Sequence, residues 1–460
     1  MTTVPLPSPR VISADQSAEL LDGLTDAEAI DETNRCLYCY DAPCMQACPT
    51  HIDIPGFIRK INTGNTTGAA RRILRDNFLG GTCARVCPVK ELCEGACVLN
   101  ATDKPISIGR LQRYAVDTAV EHMSTDAVIA PFIADTTDGA RVLVVGSGPA
   151  GLSAAAHLAQ KGHRVTVWER DELPGGLSST GIIPLREPLD VALEEVDMVR
   201  SLGVEIELSR EMGGMEELEA SAADFDAVFL ATGLGAVPEL RIPGADAIRD
   251  GLGYVRTAKL EPDLLPAAGH VVVIGAGNTA IDAATMARRS GAEATIVYRR
   301  TAAEMTAYEH EYQFALGEGI NFRFLASPVE IAVDAAGNVT GLVCEEMELG
   351  EADGSGRRRP VATGNRTVIG CDLVVRAIGQ EGYDGSRLPL DRGYIAVDDS
   401  FRIPGMSNIF AGGDAVRSTG TASTVMAVED GKLAAAEIDT YLESAAMNAG
   451  GDDGRTDHNG

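Results

Sequence analysis

The 460-residue chain has few aromatic residues, 5% of the total with a single tryptophan, and little positive charge. Its 39 Lys and Arg stand against 67 Asp and Glu, giving a net charge of −28. A field of that sign repels phosphate backbones and anionic lipid, so it argues against nucleic-acid and membrane-surface partners. We read the acidity as a solubility or salt-adaptation feature. No apolar run reaches the roughly 20 residues of a membrane span. The N-terminal MTTVPLPSPRVISADQSAEL lacks the basic-then-apolar order of a secretory leader. A cytoplasmic location is therefore expected. The length exceeds what one core normally supports and suggests two to four domains.

Ten cysteines are present, and eight of them lie between Cys36 and Cys97. A disulfide scaffold would need export and usually a small chain. The first group reads CLYCYDAPCMQACP, with Cys36, Cys39, Cys44 and Cys48 before Pro49. The second reads CARVCPVKELCEGAC, with Cys83, Cys87, Cys93 and Cys97. Such short spacings let thiolates converge on iron–sulfur clusters, and a cysteine before proline often crosses to a second cluster. Structural zinc prefers paired CxxC knuckles, of which only Cys36 and Cys39 form one. Two [4Fe–4S] clusters are the expectation.

From Arg141 the texture changes to β-branched runs that end in glycine and open into alanine-rich helices, an α/β pattern. Residues 141–170 read strand, turn, helix, strand around Gly146, Gly148 and Gly151, with Glu169 at the end of the second strand. This is a dinucleotide fingerprint, with the acid placed for a ribose hydroxyl. Residues 270–300 repeat the plan with Gly275, Gly277 and Ala280, but Arg299 and Arg300 replace the acid. Arginine there suits a 2′-phosphate and favours NADPH, although a solvated basic pair would look the same. DAVFLATG (226–233) and DLVVRAIG (372–379) read as later strands. The glycine pair of LPGGL (173–177) and NIFAGGDAV (408–416) complete the pattern of an FAD site. The run RRR at 357–359 reads as a solvated loop.

Taken together, these residues resemble an iron–sulfur flavoprotein family. It contains the small subunit of bacterial glutamate synthase and the N-terminal part of dihydropyrimidine dehydrogenase. The similarity runs from about Cys36 to Leu442, and the DAPC phrase at 41–44 is closer to the dihydropyrimidine dehydrogenase wording. The resemblance implies an α/β chain with a glutathione-reductase-like FAD/NAD(P) fold. A helical iron–sulfur domain would occupy 1–135, an FAD domain 136–237 and 380–445, and a coenzyme domain 238–379, with a disordered tail at 446–460. It implies one cluster on Cys36, Cys39, Cys44 and Cys97. The other would sit on Cys48, Cys87, Cys93 and Gln112, leaving Cys83 a non-ligand. It also implies FAD contacts for Glu169, Gly176, Leu177, Arg186 and Asp414. Nicotinamide-nucleotide contacts would fall to Gly277, Asn278, Thr279, Arg299, Arg300 and Gly379. The chain departs from the NADPH-using pattern just after the arginine pair. A further basic residue belongs there, and residues 302–310 read AAEMTAYEH. NADH and NADPH both stay open.

The implied activity is electron input, from NAD(P)H through FAD and the clusters to an FMN-containing dihydropyrimidine dehydrogenase catalytic subunit. A glutamate synthase large subunit is the alternative acceptor, and a hetero-oligomer follows from either. Disulfide reduction is excluded on other grounds: no cysteine lies between Cys97 and Cys344 to form a redox pair beside the flavin. A pyrimidine-reducing barrel needs roughly 250 residues, so a partner is expected to bind the substrate. Hydride transfer needs no nucleophile–base set, and no catalytic side chain is nominated. A cluster-bearing redox sensor without turnover is the competing class, and intact nucleotide motifs weigh against it.

Overall fold

The computed structural model describes residues 19–20, 22–234, 237–352, 356–382, 387–416 and 422–450, with the side chains of 448–450 excepted. The chain divides into two compact units. One holds Leu21–Ser179, Asp190–Leu234 and Gly382–Gly460; the other holds Met1–Leu20, Thr180–Leu189 and Gly235–Glu381. No described helix is long and apolar enough to cross a membrane.

The first unit begins with short helices and, among the described residues, has no strand before Arg141. Ile54–Asn62 is capped by Asp53, whose carboxylate accepts from Gly56 N–H at 2.9 Å. It buries Ile54, Phe57, Ile58 and Ile61, the spacing of one helical face. Thr66–Asp76 buries Ala69, Ala70, Ile73 and Leu74 in the same manner. A parallel five-stranded sheet follows, in the order Ile409–Ala411, Ala227–Leu230, Arg141–Val145, Arg164–Trp168, Glu205–Glu207. The helix Pro149–Gln160 rises from the first glycine turn.

The helical segment and this sheet share one core. Ala70, Leu74, Phe78, Leu79 and Cys83 belong to the same buried cluster as Val142, Val144, Leu158 and Phe410. The seam also carries polar ties. The buried Glu195 carboxylate accepts from Gly81 N–H at 2.6 Å and Thr82 N–H at 3.1 Å. Lys432 Nζ, on the last helix, donates to Thr50 O at 2.8 Å.

The second unit repeats the sheet plan: Arg249–Asp250, Leu373–Arg376, His270–Ile274, Glu293–Tyr298, Asn321–Phe324, again all parallel. It adds an antiparallel sheet of Ala326–Val333, Val339–Ala352 and Arg358–Gly370. Here the sequence reading needs correction. Arg358 and Arg359 start a thirteen-residue strand, not a loop. Ladder pairing from Ala352↔Arg358 to Gly341↔Gly370 overrides the polar, glycine-rich composition. The last helix also outruns its expected end, spanning Thr424–Gly450. ESAAMNA is made mostly of good helix formers, so residues 446–450 join the helix. The rest of the expected tail, 451–460, lies outside the described residues.

His157 sits at the shared seam. Its Nδ1 faces Ser153 O at 2.9 Å, and its ring meets Phe78 edge-on with centroids 6.3 Å apart. Burial pushes its pKa down to about 4, with the Lys432 charge adding to the effect. A histidine that stays neutral when folded but protonates near its usual value when unfolded stabilises the fold above pH ~6.5. That stability is lost as pH falls from ~6.5 towards 4, on the order of 3 kcal/mol at 1.36 kcal/mol per unit. His157→Phe should therefore flatten the pH dependence of the thermal midpoint between pH 7 and 4.5, measured by circular dichroism against the parent chain.

Candidate functional site

Each parallel sheet turns its chain at the same point. The first strand ends on a glycine whose neighbour on one side is the later strand, which is where open α/β sheets bind ligands. Gly146 has φ +104°, and a Cβ there would lie 2.4 Å from Ala231 O. Gly275 has φ +129°, and a Cβ would lie 2.0 Å from Ala377 O. Both carbonyls follow the later strands 227–230 and 373–376. The two turns thus demand glycine for one reason, a neighbouring strand-end carbonyl pressed against the backbone.

At the first turn, Gly151 packs so close that a Cβ would meet Gly146 O at 1.9 Å. Gly148 and Gly176 also touch, a Cβ on Gly176 falling 2.8 Å from Gly148 Cα. Glu169, 6% exposed, accepts from Ser147 N–H at 2.9 Å and from Asp171 N–H at 2.9 Å. Ser147 Oγ in turn accepts from Gly175 N–H at 3.1 Å. The sequence reading passed over Ser147, which links the acid to the glycine pair; a small polar residue between two fingerprint glycines is a weak but usable signal. Leu177 is exposed and Asp414 half-buried on the turn after Ile409–Ala411. Gly413 N–H donates to Asp430 at 3.0 Å, fixing that turn to the last helix. The glycine cradle and the acid at the strand end suit the adenosine and pyrophosphate of FAD.

In the second unit Gly277 caps the helix Asn278–Arg289, whose first turn presents Asn278 and Thr279. Arg299 is exposed and Arg300 buried, the alternation of a strand continued past Tyr298. Gly379 is exposed beyond the later strand, with φ +102° and nothing within 4 Å of where a Cβ would sit. Arg186 lies in this unit. Its guanidinium pairs with Glu311 and, at 2.8 Å, with Asp282. Burial raises the Asp282 pKa, and Arg186 offsets part of that cost. The carboxylates are on the helices Glu309–Gly317 and Asn278–Arg289, and no spacing rule links them to Arg186 in sequence.

The thiols separate into two neighbouring groups. Cys36, Cys39, Cys44 and Cys97 all line one cavity, walled by Ile54, Ile58, Ile106 and Ile108. Burial raises the Cys36 and Cys44 pKa values, the latter to about 11, and Cys97 adds to both. Cys48 and Cys93 are buried together with the half-buried Cys87. A hydrogen bond with Cys83 and burial push the Cys87 thiol well up. Cys93 is raised by burial and by Cys48, with a smaller contribution from Cys44 of the first group. Gln112, 7% exposed, donates from Nε2 to Gly80 O at 2.7 Å, which fixes the amide through its nitrogen and leaves the oxygen as its acceptor. Thiolates gathered in such partly buried surroundings are costly unless cations compensate them. Among the described residues no three candidate ligands close on a single ion position. A ring of thiols around an apolar-walled cavity is the donor set of an iron–sulfur cube.

Both parts of the chain resemble known proteins. Residues 13–124 match the family described as dihydropyrimidine dehydrogenase domain II, 4Fe-4S cluster, and residues 140–431 match pyridine nucleotide-disulphide oxidoreductase. The NADP(+)-dependent formate dehydrogenase subunit beta of Moorella thermoacetica is 36% identical over 88% of this chain. The chain covers only 61% of that protein's length. The glutamate synthase [NADPH] small chain of Escherichia coli K12 is 31% identical, with 95% of this chain and 97% of that one aligned. The NAD-dependent dihydropyrimidine dehydrogenase subunit PreT of Escherichia coli O157:H7 is 32% identical, with 93% and 97% aligned. Among solved structures, Mycobacterium tuberculosis FprA in complex with NADPH superposes with a TM-score of 0.57 at 23% identity, covering 68% of this chain and 86% of that one. The fold is thus an FAD/NAD(P) oxidoreductase fold behind a 4Fe–4S segment. The chain belongs to the iron–sulfur flavoprotein family of glutamate synthase small chains and dihydropyrimidine dehydrogenase subunits.

Two outcomes test the site. Gly146→Ala should abolish flavin retention through its clash with Ala231 O, whereas Gly275→Ala should keep the flavin and lose its bleaching by NAD(P)H; visible absorption reads both. Gln112→Ala should lower iron content with flavin retained, and Cys83→Ser should leave iron unchanged, as read by iron and sulfide assay.

Proposed function

We propose that this chain is the electron-input subunit of a dihydropyrimidine dehydrogenase. It takes hydride from NAD(P)H and delivers single electrons to an FMN-containing subunit that reduces uracil or thymine. The observation that carries this reading is the continuous core joining the thiol-bearing helices to the first nucleotide-binding sheet. Such a core holds two redox centres at a constant separation. When bound, FAD accepts a hydride and releases electrons singly, and [4Fe–4S] clusters accept one at a time.

The protein's own part is positional. Gly146, Gly148, Gly151 and Gly176 admit the pyrophosphate, and Glu169 and Asp414 orient the FAD sugar and ribityl hydroxyls, with Leu177 beside them. Gly277, Asn278, Thr279 and Gly379 seat the coenzyme, and Arg299 and Arg300 lean the choice towards NADPH. Cys36, Cys39, Cys44 and Cys97 hold one cluster; Cys48, Cys87, Cys93 and Gln112 hold the other. Arg186, held by Asp282 and Glu311, is the FAD contact that the family resemblance implies.

A second reading has comparable support, because the glutamate synthase small chain aligns over as much of its own length as PreT does. In that case the acceptor is a glutamate synthase large subunit. The purified chain should bind about eight irons and one FAD, and reduce artificial acceptors with NAD(P)H. It should not oxidise NAD(P)H in response to uracil. Adding an FMN-containing partner should restore uracil reduction, and Cys93→Ser should abolish that restored activity while NAD(P)H still bleaches the flavin. Restoration only by a glutamate synthase large subunit selects the second reading. Uracil-dependent oxidation by the chain alone refutes the division of labour.

A further inference from the structure

We propose that Arg358, on the antiparallel hairpin of the coenzyme unit, is the third cation of the 2′-phosphate subsite and a determinant of NADPH preference. This inference rests on the NADPH half of the functional reading. A phosphate dianion at the end of the strand Glu293–Tyr298 needs several charge-assisted donors. In sequence the strand end offers only Arg299 and Arg300, because TAAEMTAYEH supplies no lysine or arginine through residue 310.

The structure changes that count in two ways. Arg300 is 6% exposed, and its Nε donates to Arg358 O at 2.8 Å, so part of its fork is spent on the hairpin backbone. The same bond brings the start of the strand Arg358–Gly370 to the end of the coenzyme strand. Leu325 N–H to Arg300 O at 3.0 Å, and Met347 N–H to Leu325 O at 2.8 Å, lock the hairpin there. Arg358 itself is exposed, with Nη2 donating to Leu349 O at 3.1 Å across the hairpin. A guanidinium has five N–H donors, so this bond orients the group and leaves donors for a ligand.

The turn between the two arginines carries the opposing charge. Glu304 Oε2 accepts from Thr301 Oγ1 at 2.5 Å and from Thr301 N–H at 3.1 Å. Its pKa is held low first by the Thr301 hydroxyl, with the Arg358 and Arg300 charges contributing further. Arg358 and Arg300 therefore act on the same turn, and Glu304 is tied back to Thr301.

The test is equilibrium binding of 2′,5′-ADP and 5′-AMP to the flavin-loaded chain, with flavin content and thermal midpoint as checks on folding. The parent chain should bind 2′,5′-ADP more tightly than 5′-AMP. Arg358→Ala should reduce that ratio about tenfold, Arg358→Lys should recover part of it, and Arg359→Ala should leave it unchanged. The same change should appear in the NADPH to NADH ratio of KM values. If the parent chain shows no 2′,5′-ADP preference, the NADPH assignment fails and this inference with it. If the preference is present and survives Arg358→Ala but not Arg299→Ala, the assignment stands and Arg358 has no part in it. Should Arg358→Ala lose flavin or fold, Arg358→Gln takes its place in the same comparison, and an unchanged ratio in it overturns the proposal.

Discussion

The structure depends on one seam, the shared core between the thiol-bearing helices and the first dinucleotide-type sheet. Phe78, Leu79 and Cys83 enter the same buried cluster as Val142, Val144 and Leu158. Interiors packed to crystal-like density do not deform continuously. Elements on either side of such a core keep their separation. Polar ties reinforce the seam from both directions. Glu195 accepts from the start of the helix Gly80–Val86, and Lys432 donates to Thr50, two residues beyond Cys48.

The two nucleotide turns show one solution used twice. In each unit the later strand's end places a carbonyl against the turn glycine, at Ala231 and at Ala377. The backbone can then approach a pyrophosphate only if no Cβ intervenes. The units differ at the end of the second strand. Glu169 is buried and hydrogen-bonded into its own turn, whereas Arg299 and Arg300 end the matching strand of the second unit. The strand end is where the two turns acquire opposite charge.

Much of this was legible in order along the chain. Glycine spacing, β-branched runs and the placement of Glu169 against Arg299 and Arg300 are local patterns, and local geometry converts them directly into strand, turn and helix. The cysteine spacings announced a cluster protein for the same reason. What stayed hidden was long-range. The antiparallel sheet escaped because RRRPVATGNRTVIG looks like a loop until it pairs with residues 341–352. Arg186 finds Asp282 and Glu311 far away in sequence, and Ser147 gains meaning only from its bonds to Glu169 and Gly175.

By itself the sequence determined the element types, the two fingerprints, the charge at each strand end and the number of thiols, because each depends on neighbours a few residues apart. Tertiary structure alone decided which thiols line one cavity, with Cys97 joining Cys36, Cys39 and Cys44 from across the helical segment. It also decided that the helical segment and the first sheet form one unit, and that Arg300 turns inward while Arg358 arrives at its side. These outcomes come from packing between segments distant in the chain. Burial and strand pairing, which set them, are properties of the assembled core and not of any local run of residues.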